Sequence, residues 1–147
     1  MGDPPRHSRA ARVFVINVDG ASRGNPGPAA AGWIIRDARD GQPLLEKGRA
    51  LGKETNNRAE YFALIFALED AVLLSADDVL VRSDSELLVK QMTGQYRVKN
   101  AGLKGLFKRA MDLAGGFKRF HVHHVPREEN KEADAAANAV LDGKEPG

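Results

Sequence analysis

The order of the strand-like and helix-like segments constrains the fold of this chain more than any other feature. Three strand-like segments come first and are joined only by turn-forming residues, which predicts three consecutive antiparallel strands. From residue 57 onward, helical and strand-like patterns alternate. Strands in a run, followed by this alternation, predict an α/β domain with a mixed five-stranded sheet flanked by helices.

The individual elements follow from hydrophobic periodicity and from the Gly, Pro, Asn and Asp residues between them. Asn130 is a suitable N-cap residue and predicts the start of the last helix. The predicted strands cover residues 12–19, 29–37, 44–51, 79–83 and 120–125, and the predicted helices cover residues 57–73, 86–92, 101–113 and 130–141.

The length and composition predict a single domain. A chain of 147 residues with 42% hydrophobic residues can bury one continuous core without disulfides or a structural metal. We expect this domain to span residues 12–142, between a flexible basic arm at residues 1–11 and a flexible tail at residues 143–147.

Several classes of protein are disfavoured by composition. The chain has no Cys, which excludes thiolate zinc sites and cysteine nucleophiles and suits a reducing compartment. No stretch approaches the roughly 20 apolar residues that a membrane span needs. We therefore expect a monomeric, cytoplasmic protein. The net charge is only +2, but residues 87–111 hold six basic residues and no acidic one, so charge is segregated along the chain.

Four acidic residues lie in four separate segments with distinctive neighbours. They are Asp19 in VDGASRGNPGP, Glu60 in TNNRAEY, Asp84 in RSDSELL and Asp134 in ENKEADAAAN. Carboxylates from separate strands and helices converge only after folding, and such clusters usually bind hard divalent cations. The pattern predicts a metal-dependent phosphoryl-transfer enzyme.

Each acid also has a purely structural interpretation. Asp19 precedes Gly20 and can form a turn, and Asp84 lies in a Ser-Asp-Ser sequence that can cap a helix. Glu60 lies early in an apolar helix, where solvent or a neighbouring Arg can compensate its charge, and Asp134 can be a surface residue. The four together, at the ends of predicted elements, favour a metal cluster.

Polar residues beside the acids are candidates for substrate contacts. Asn25 lies in the GNPG loop, where glycines allow the backbone to approach a phosphate or a ribose closely. Thr55, Asn56 and Asn57 lie at the start of the first predicted helix and are either capping residues or contacts to a nucleic acid. The His residues at 121, 123 and 124 are interpreted as strand residues, because their spacing does not match usual zinc ligands.

The segments DGASRGNPGP, TNNRAEY, SDSELLVKQ and PREENKEAD, in this order, resemble type 1 ribonuclease H of bacteria and archaea over about residues 13–140. The resemblance implies the ribonuclease H-like fold, with the first three strands antiparallel. It also implies endonucleolytic hydrolysis of the RNA strand of RNA/DNA hybrids, leaving 5′-phosphate and 3′-hydroxyl ends. Two Mg²⁺ or Mn²⁺ ions would act with substrate bound, held by catalytic carboxylates at Asp19, Glu60, Asp84 and Asp134.

The same resemblance implies roles for the neighbouring polar residues. Asn25, Asn56 and Asn57 would contact the hybrid near the cut, and Thr55 would approach a phosphate of the DNA strand. Asn130 would act as an auxiliary residue near the metals.

Two features depart from the family pattern. The loop before the last helix lacks the His that many relatives carry; Arg127 is the candidate replacement, and no role is assigned to His124. The segment GQYRVKNAGLKGLFKR is short and lacks Trp, so a reduced phosphate-binding surface is expected there, formed by Tyr96, Arg97, Lys99 and Lys104.

Two other functions use parts of the same pattern. A related metal-dependent nuclease for double-stranded RNA or DNA junctions needs the same carboxylates, but the flanks GNPG and TNNRAEY disfavour it. A catalytically silent hybrid-binding or reverse-transcriptase-like module would not need four intact acids.

Overall fold

A computed structural model of the chain describes residues 10–144. They form a five-stranded sheet with the strand order β3-β2-β1-β4-β5 and four α-helices. The strands are β1 (Val13–Ser22), β2 (Gly27–Asp37), β3 (Pro43–Glu54), β4 (Asp78–Ser83) and β5 (Arg119–His124), and the helices are α1 (Asn56–Leu73), α2 (Glu86–Met92), α3 (Ala101–Ala114) and α4 (Lys131–Leu141).

The sheet is mixed, as the sequence predicts. The pairs β1–β2 and β2–β3 are antiparallel, whereas β4 pairs in parallel with both β1 and β5. The parallel pairs need crossover connections, which α1 provides between β3 and β4 and which α2 and α3 provide between β4 and β5. The predicted α/β architecture is confirmed.

The main core lies between one sheet face and α1. Phe14, Ile16 and Val18 alternate along β1 and are almost completely buried, as expected for side chains on one face of a strand. Helix α1 is buried on most of its surface, because it packs on β1 and β2 and also on α3. Helix α4 packs on the opposite face of the sheet, mainly on β2, β3 and β1.

The first strand is longer than predicted. Residues 20–22 continue β1 and pair with residues 29–31 of β2, so the turn between these strands comprises only residues 23–26. Small side chains after Asp19 favoured a turn locally, but the antiparallel partner strand extends the pairing. The turn interpretation of Asp19 is therefore wrong. The third strand likewise extends to Glu54, three residues beyond its predicted end at Leu51.

Part of the predicted domain organisation lies outside the described residues. Residues 1–9 of the predicted basic arm and residues 145–147 of the predicted tail belong to that part, so the domain boundaries stay predictions. Among residues 10–144, no helix combines the length and the apolar character that a membrane crossing requires.

Candidate active site

The site forms where β1 and β4 diverge. The parallel pairing of β1 with β4 ends at Asn17 opposite Arg82, while the antiparallel pairing with β2 continues and places Asp19 opposite Gly32. Asp84 follows the last residue of β4 directly. Since β1 and β4 run in the same direction, both acids lie at the same edge of the sheet, where α/β proteins bind ligands.

Two glycines bring the helices close to this edge. A Cβ atom on Gly20 would lie 2.3 Å from the backbone nitrogen of Glu60, and one on Gly32 would lie 2.3 Å from the carbonyl oxygen of Ala133. No larger residue fits either position without moving a helix backbone. The start of α1 and the first turn of α4 can therefore pack directly against β1 and β2, which brings Glu60 and Asp134 to the site.

Three of the four predicted acids form a tight cluster. Asp19, Glu60 and Asp84 each provide one carboxylate oxygen, and these oxygens lie within 4.8 Å of one another. The backbone N–H of Gly20 donates a hydrogen bond of 2.6 Å to Oε1 of Glu60. Asp134 lies outside this tight group but lines the same cavity. The sheet edge thus gathers all four side chains.

The electrostatics of the cluster are unfavourable for a set of unliganded carboxylates. Burial raises the pKa of Asp19, and the charges of Glu60, Asp84 and Asp134 raise it further. Burial also raises the pKa of Glu60, although the hydrogen bond from Gly20 opposes this shift. A bound divalent cation would remove the repulsion and favour the ionised forms.

The donor set fits a hard cation. All of the converging ligand atoms are carboxylate oxygens, the type that Mg²⁺ and Mn²⁺ prefer. The three carboxylates come from β1, from α1 and from the residue after β4, so rigid elements position the ligands.

The side chain of Asn130 supports the cluster and makes no capping hydrogen bond. The residue occupies the N-cap position of α4. Its Nδ2 donates to the carbonyl oxygen of Val18 at 2.8 Å and to Oδ1 of Asp84 at 3.4 Å. Its Oδ1 accepts a 2.9 Å hydrogen bond from Nδ2 of Asn17, which fixes the orientation of the amide. The predicted N-cap position is therefore confirmed, but the side chain makes no capping hydrogen bond because tertiary partners occupy it.

The carboxylates line an open cavity of about 630 Å³. Polar and cationic side chains share it, which suits a polar and anionic ligand better than an apolar one. These residues are Ser22, Arg23, Asn56, His124, Arg127 and Asn138.

Comparison with known proteins identifies the family. The family model described as "Reverse transcriptase-like" matches residues 17–140. Ribonuclease HI of Halobacterium salinarum is 46% identical over 139 residues, which cover 95% of this chain and 67% of that protein. The chain belongs to the type 1 ribonuclease H family. The prediction of a ribonuclease H hydrolase is confirmed.

Solved structures of relatives agree with the fold. The crystal structure of RNase H1 from Halobacterium salinarum has a TM-score of 0.86 at 46% identity and covers 89% of this chain and 98% of the other. LC11-RNase H1, solved in complex with an RNA/DNA hybrid, has a TM-score of 0.83 at 41% identity, with 88% and 97% covered. The predicted ribonuclease H-like fold is confirmed. A bifunctional protein of Mycobacterium tuberculosis is 45% identical over 128 residues, but the match spans only 35% of its length.

The predicted substrate residues of this ribonuclease H surround the start of α1. Asn56 lines the cavity, and its backbone N–H donates a 3.1 Å hydrogen bond to Oδ1 of Asn25. Thr55 is the N-cap of α1, and its hydroxyl accepts from the backbone N–H of Arg58 at 3.2 Å. Asn57 is exposed in the first turn of α1. The GNPG loop and the start of α1 therefore form one continuous surface.

Arg58 does not compensate Glu60. Its guanidinium donates to Glu54 at 2.7 Å and also contacts the carbonyl oxygen of Gly102. These contacts connect the end of β3, the start of α1 and the start of α3. The structural interpretation of Glu60, in which this Arg neutralises its charge, is wrong.

The predicted auxiliary residues fall into two groups. Asn130 and Arg127 lie at the carboxylates: Asn130 bonds to Asp84, and Arg127 lines the cavity from the loop before α4. His124, which has no predicted role, lines the same cavity from the end of β5. Tyr96 and Lys99 instead line a separate shallow cavity of about 500 Å³, where the ammonium of Lys90 lies 5.0 Å from the centre of the Tyr96 ring. The structure does not bring this second group to the carboxylates.

His121 and His123 are strand residues, as predicted. The rings of His121 and His123 lie 6.4 Å apart on β5, and both side chains are exposed.

Sequence reasoning missed three polar residues near the carboxylates, namely Asn17, Arg23 and Asn138. Asn17 is two residues before Asp19 on the same strand and therefore faces the same side of the sheet. Asn138 is four residues after Asp134 on α4 and lies on the same helical face. These spacings were the available signals, but neither shows which side chains meet across elements.

Proposed function

We propose that this ribonuclease H hydrolyses the RNA strand of RNA/DNA hybrids endonucleolytically and leaves 5′-phosphate and 3′-hydroxyl ends. The convergence of Asp19, Glu60 and Asp84 at the edge of the sheet, in a chain of this family, carries the proposal. A relative of 41% identity solved in complex with an RNA/DNA hybrid supports the substrate class.

We assign the catalytic and metal-binding roles to Asp19, Glu60, Asp84 and Asp134, which would hold two Mg²⁺ or Mn²⁺ ions with substrate bound. When bound, such ions supply an activated water molecule and stabilise the leaving 3′-oxygen of the RNA strand. The oxygen-only donor set supports this assignment. The cavity of about 630 Å³ leaves room for a strand of nucleic acid above the carboxylates.

The protein orients its carboxylates through hydrogen bonds to neighbouring groups. Glu60 accepts from the backbone of Gly20 at 2.6 Å, and Asp84 accepts from Asn130 at 3.4 Å. Asp134 accepts from Nδ2 of Asn138 at 3.1 Å. Each bond uses part of the hydrogen-bonding capacity of one carboxylate and leaves the rest directed at the cavity, so little reorganisation is needed when ligands arrive.

The substrate contacts assigned to this surface are Asn25, Asn56 and Asn57 near the cut and Thr55 beside a phosphate of the DNA strand. Asn56 supports this assignment because it lines the cavity directly. Amide side chains can donate to and accept from a 2′-hydroxyl, which distinguishes RNA from DNA.

We assign auxiliary roles to three further side chains. Arg127 lines the cavity from the loop before α4 and is the cationic replacement for the His that this loop lacks. Tyr96 and Lys99 are exposed and extend the phosphate-binding surface beyond the cavity. We also propose that the enzyme is a cytoplasmic monomer, since one chain provides all four carboxylates.

The test compares three labelled duplexes of one sequence: the RNA/DNA hybrid, the RNA duplex and the DNA duplex. Each is incubated with Mg²⁺ or Mn²⁺ and with the wild type or the Asp84→Asn variant. We expect cleavage of the RNA strand of the hybrid by the wild type alone. Hybrid cleavage that survives Asp84→Asn would refute the site. Hybrid binding by the wild type without cleavage would instead favour a binding module.

A further inference from the structure

We propose that Arg23 binds a backbone phosphate of the RNA strand at the edge of the carboxylate cavity, and that Asn138 couples this contact to the orientation of Asp134. The inference rests on the proposed hybrid substrate. It assigns a substrate-binding residue and a positioning residue that belong to the loop after β1 and to α4.

The loop anchors Arg23 at the cavity. Its backbone N–H donates to the carbonyl oxygen of Pro28 at 2.8 Å, which holds the turn between β1 and β2 closed. Its side chain is 47% exposed, and the residue lines the cavity together with the four carboxylates. The guanidinium is therefore both accessible to solvent and adjacent to the cluster.

The negative charge of the cavity favours a cationic side chain at its edge. Four carboxylates line it, and an RNA strand adds further negative charge. Among the described residues that line the cavity, the Arg and Lys side chains are Arg23 and Arg127, from two different loops. Arg suits this role because its planar guanidinium can donate two parallel hydrogen bonds to one phosphate.

The present contacts of Arg23 leave its guanidinium able to bind a phosphate. Its Nη2 contacts Oδ1 of Asp142 at 2.7 Å and Oδ1 of Asn138 at 3.3 Å, whereas a guanidinium carries donors on three nitrogens. The carboxylate of Asp142 is 49% exposed, and exposed ion pairs contribute little to stability. A phosphate can therefore replace Asp142 as the anionic partner at small cost.

Asn138 connects Arg23 to the catalytic cluster. Its Oδ1 accepts from Arg23, and its Nδ2 donates to Oδ1 of Asp134 at 3.1 Å and to the backbone oxygen of Asp134 at 2.9 Å. Only one orientation of the amide satisfies the guanidinium and the carboxylate together. The amide of Asn138 thus holds both the backbone oxygen and the carboxylate of Asp134, which lies outside the tight group of three acids.

The binding test measures hybrid affinity against salt concentration by fluorescence anisotropy, in the Asp84→Asn background to prevent cleavage. Arg23→Ala should weaken binding about 5- to 10-fold and reduce the slope of log affinity against log salt by about one, as expected for one lost phosphate contact. Asp142→Asn should strengthen binding, because it frees Arg23 from its competing partner. The matched control is Arg39→Ala, which removes an exposed Arg at the opposite end of β2.

An unchanged salt slope in Arg23→Ala, or an equal loss in Arg39→Ala, would overturn the assignment of Arg23. Arg23→Lys keeps the charge but not the paired donors, so it should retain the slope and lose part of the affinity.

The kinetic test separates binding from positioning. Arg23→Ala should mainly raise KM, whereas Asn138→Leu, which keeps the approximate size, should lower kcat about 10-fold or more by releasing Asp134. Calorimetry should also show weaker Mn²⁺ binding for Asn138→Leu. A loss of thermal stability in this variant, with kcat and Mn²⁺ affinity unchanged, would show that Asn138 is only structural. If the wild type cleaves no hybrid, the proposed function itself fails, which is a distinct outcome.

Discussion

Replacing Asp19 by Asn should stabilise the metal-free protein while abolishing its activity. Asp19 is only 5% exposed, and its ligand oxygen lies within 4.8 Å of those of Glu60 and Asp84. Asn has nearly the same shape but carries no charge. The variant therefore removes a group that, in the metal-free wild type, must either carry a buried charge among like charges or take up a proton, and it leaves no cavity.

The size of the effect follows from Coulomb's law. For two unit charges 4.8 Å apart, the repulsion is about 1 kcal/mol at the dielectric constant of water and about 3.5 kcal/mol at an effective value near 20. Partial protonation relieves some of this repulsion in the wild type, so we expect a net gain of about 1–3 kcal/mol. For a domain of 147 residues this corresponds to a rise in Tm of roughly 3–10 °C.

The pH dependence of the unfolding free energy tests the predicted stabilisation in a second way. Burial raises the pKa of Asp19 above its unfolded value of 3.8, so the folded protein retains a proton that the unfolded chain releases. The stability of the wild type should therefore fall as pH rises from about 4 towards neutrality. The variant lacks this contribution, and its advantage should shrink towards zero below about pH 4.

Thermal unfolding with EDTA and with Mg²⁺, at several pH values, measures these effects. Mg²⁺ should stabilise the wild type by preferential binding to the folded state and the variant much less. Asp112→Asn is the matched control, because this carboxylate is 61% exposed on α3, and it should change Tm by no more than about 1–2 °C. A metal-free Asp19→Asn protein that is less stable than the wild type would refute the electrostatic reasoning.

Three further predictions concern the surroundings of the cluster. Gly20→Ala should lower the free energy of unfolding by about 1–3 kcal/mol and the activity at least 10-fold, because its Cβ would lie 2.3 Å from the backbone of α1. The control Gly105→Ala on α3, where an added Cβ would meet nothing within 4 Å, should instead raise the free energy of unfolding slightly. Denaturant titration measures both changes. Asn130→Ala should lower the free energy of unfolding by about 1–3 kcal/mol, since it leaves Asn17 and the backbone of Val18 without their partner. The same variant should bind Mn²⁺ more weakly in calorimetry. Unchanged Mn²⁺ affinity would contradict a supporting role of Asn130 at Asp84. Lys99→Ala should reduce the salt slope of hybrid affinity by about one without changing kcat, and an unaltered slope would remove Lys99 from the binding surface.

The sequence by itself determined the order and type of the elements. The strand and helix patterns predicted every strand and every α-helix of the described residues, because alternation and helical spacing are local properties that burial enforces. The four acids were also identifiable, since each has distinctive neighbours at the end of a predicted element. The parallel pairing of β1 with β4 then places two of them, Asp19 and Asp84, at the same edge of the sheet.

Only the tertiary structure decided which partner each polar side chain has. Asn130 has the sequence signature of a cap, yet its amide bonds to Asn17, a residue 113 positions away. Arg23 reaches Asn138 across 115 positions. Helix α4 can lie close to Asp19 because Gly32 has no side chain, and a Cβ atom there would collide with the backbone of that helix. Such contacts join segments distant in sequence, and local preference cannot specify them because their energy exists only once the sheet and helices have packed.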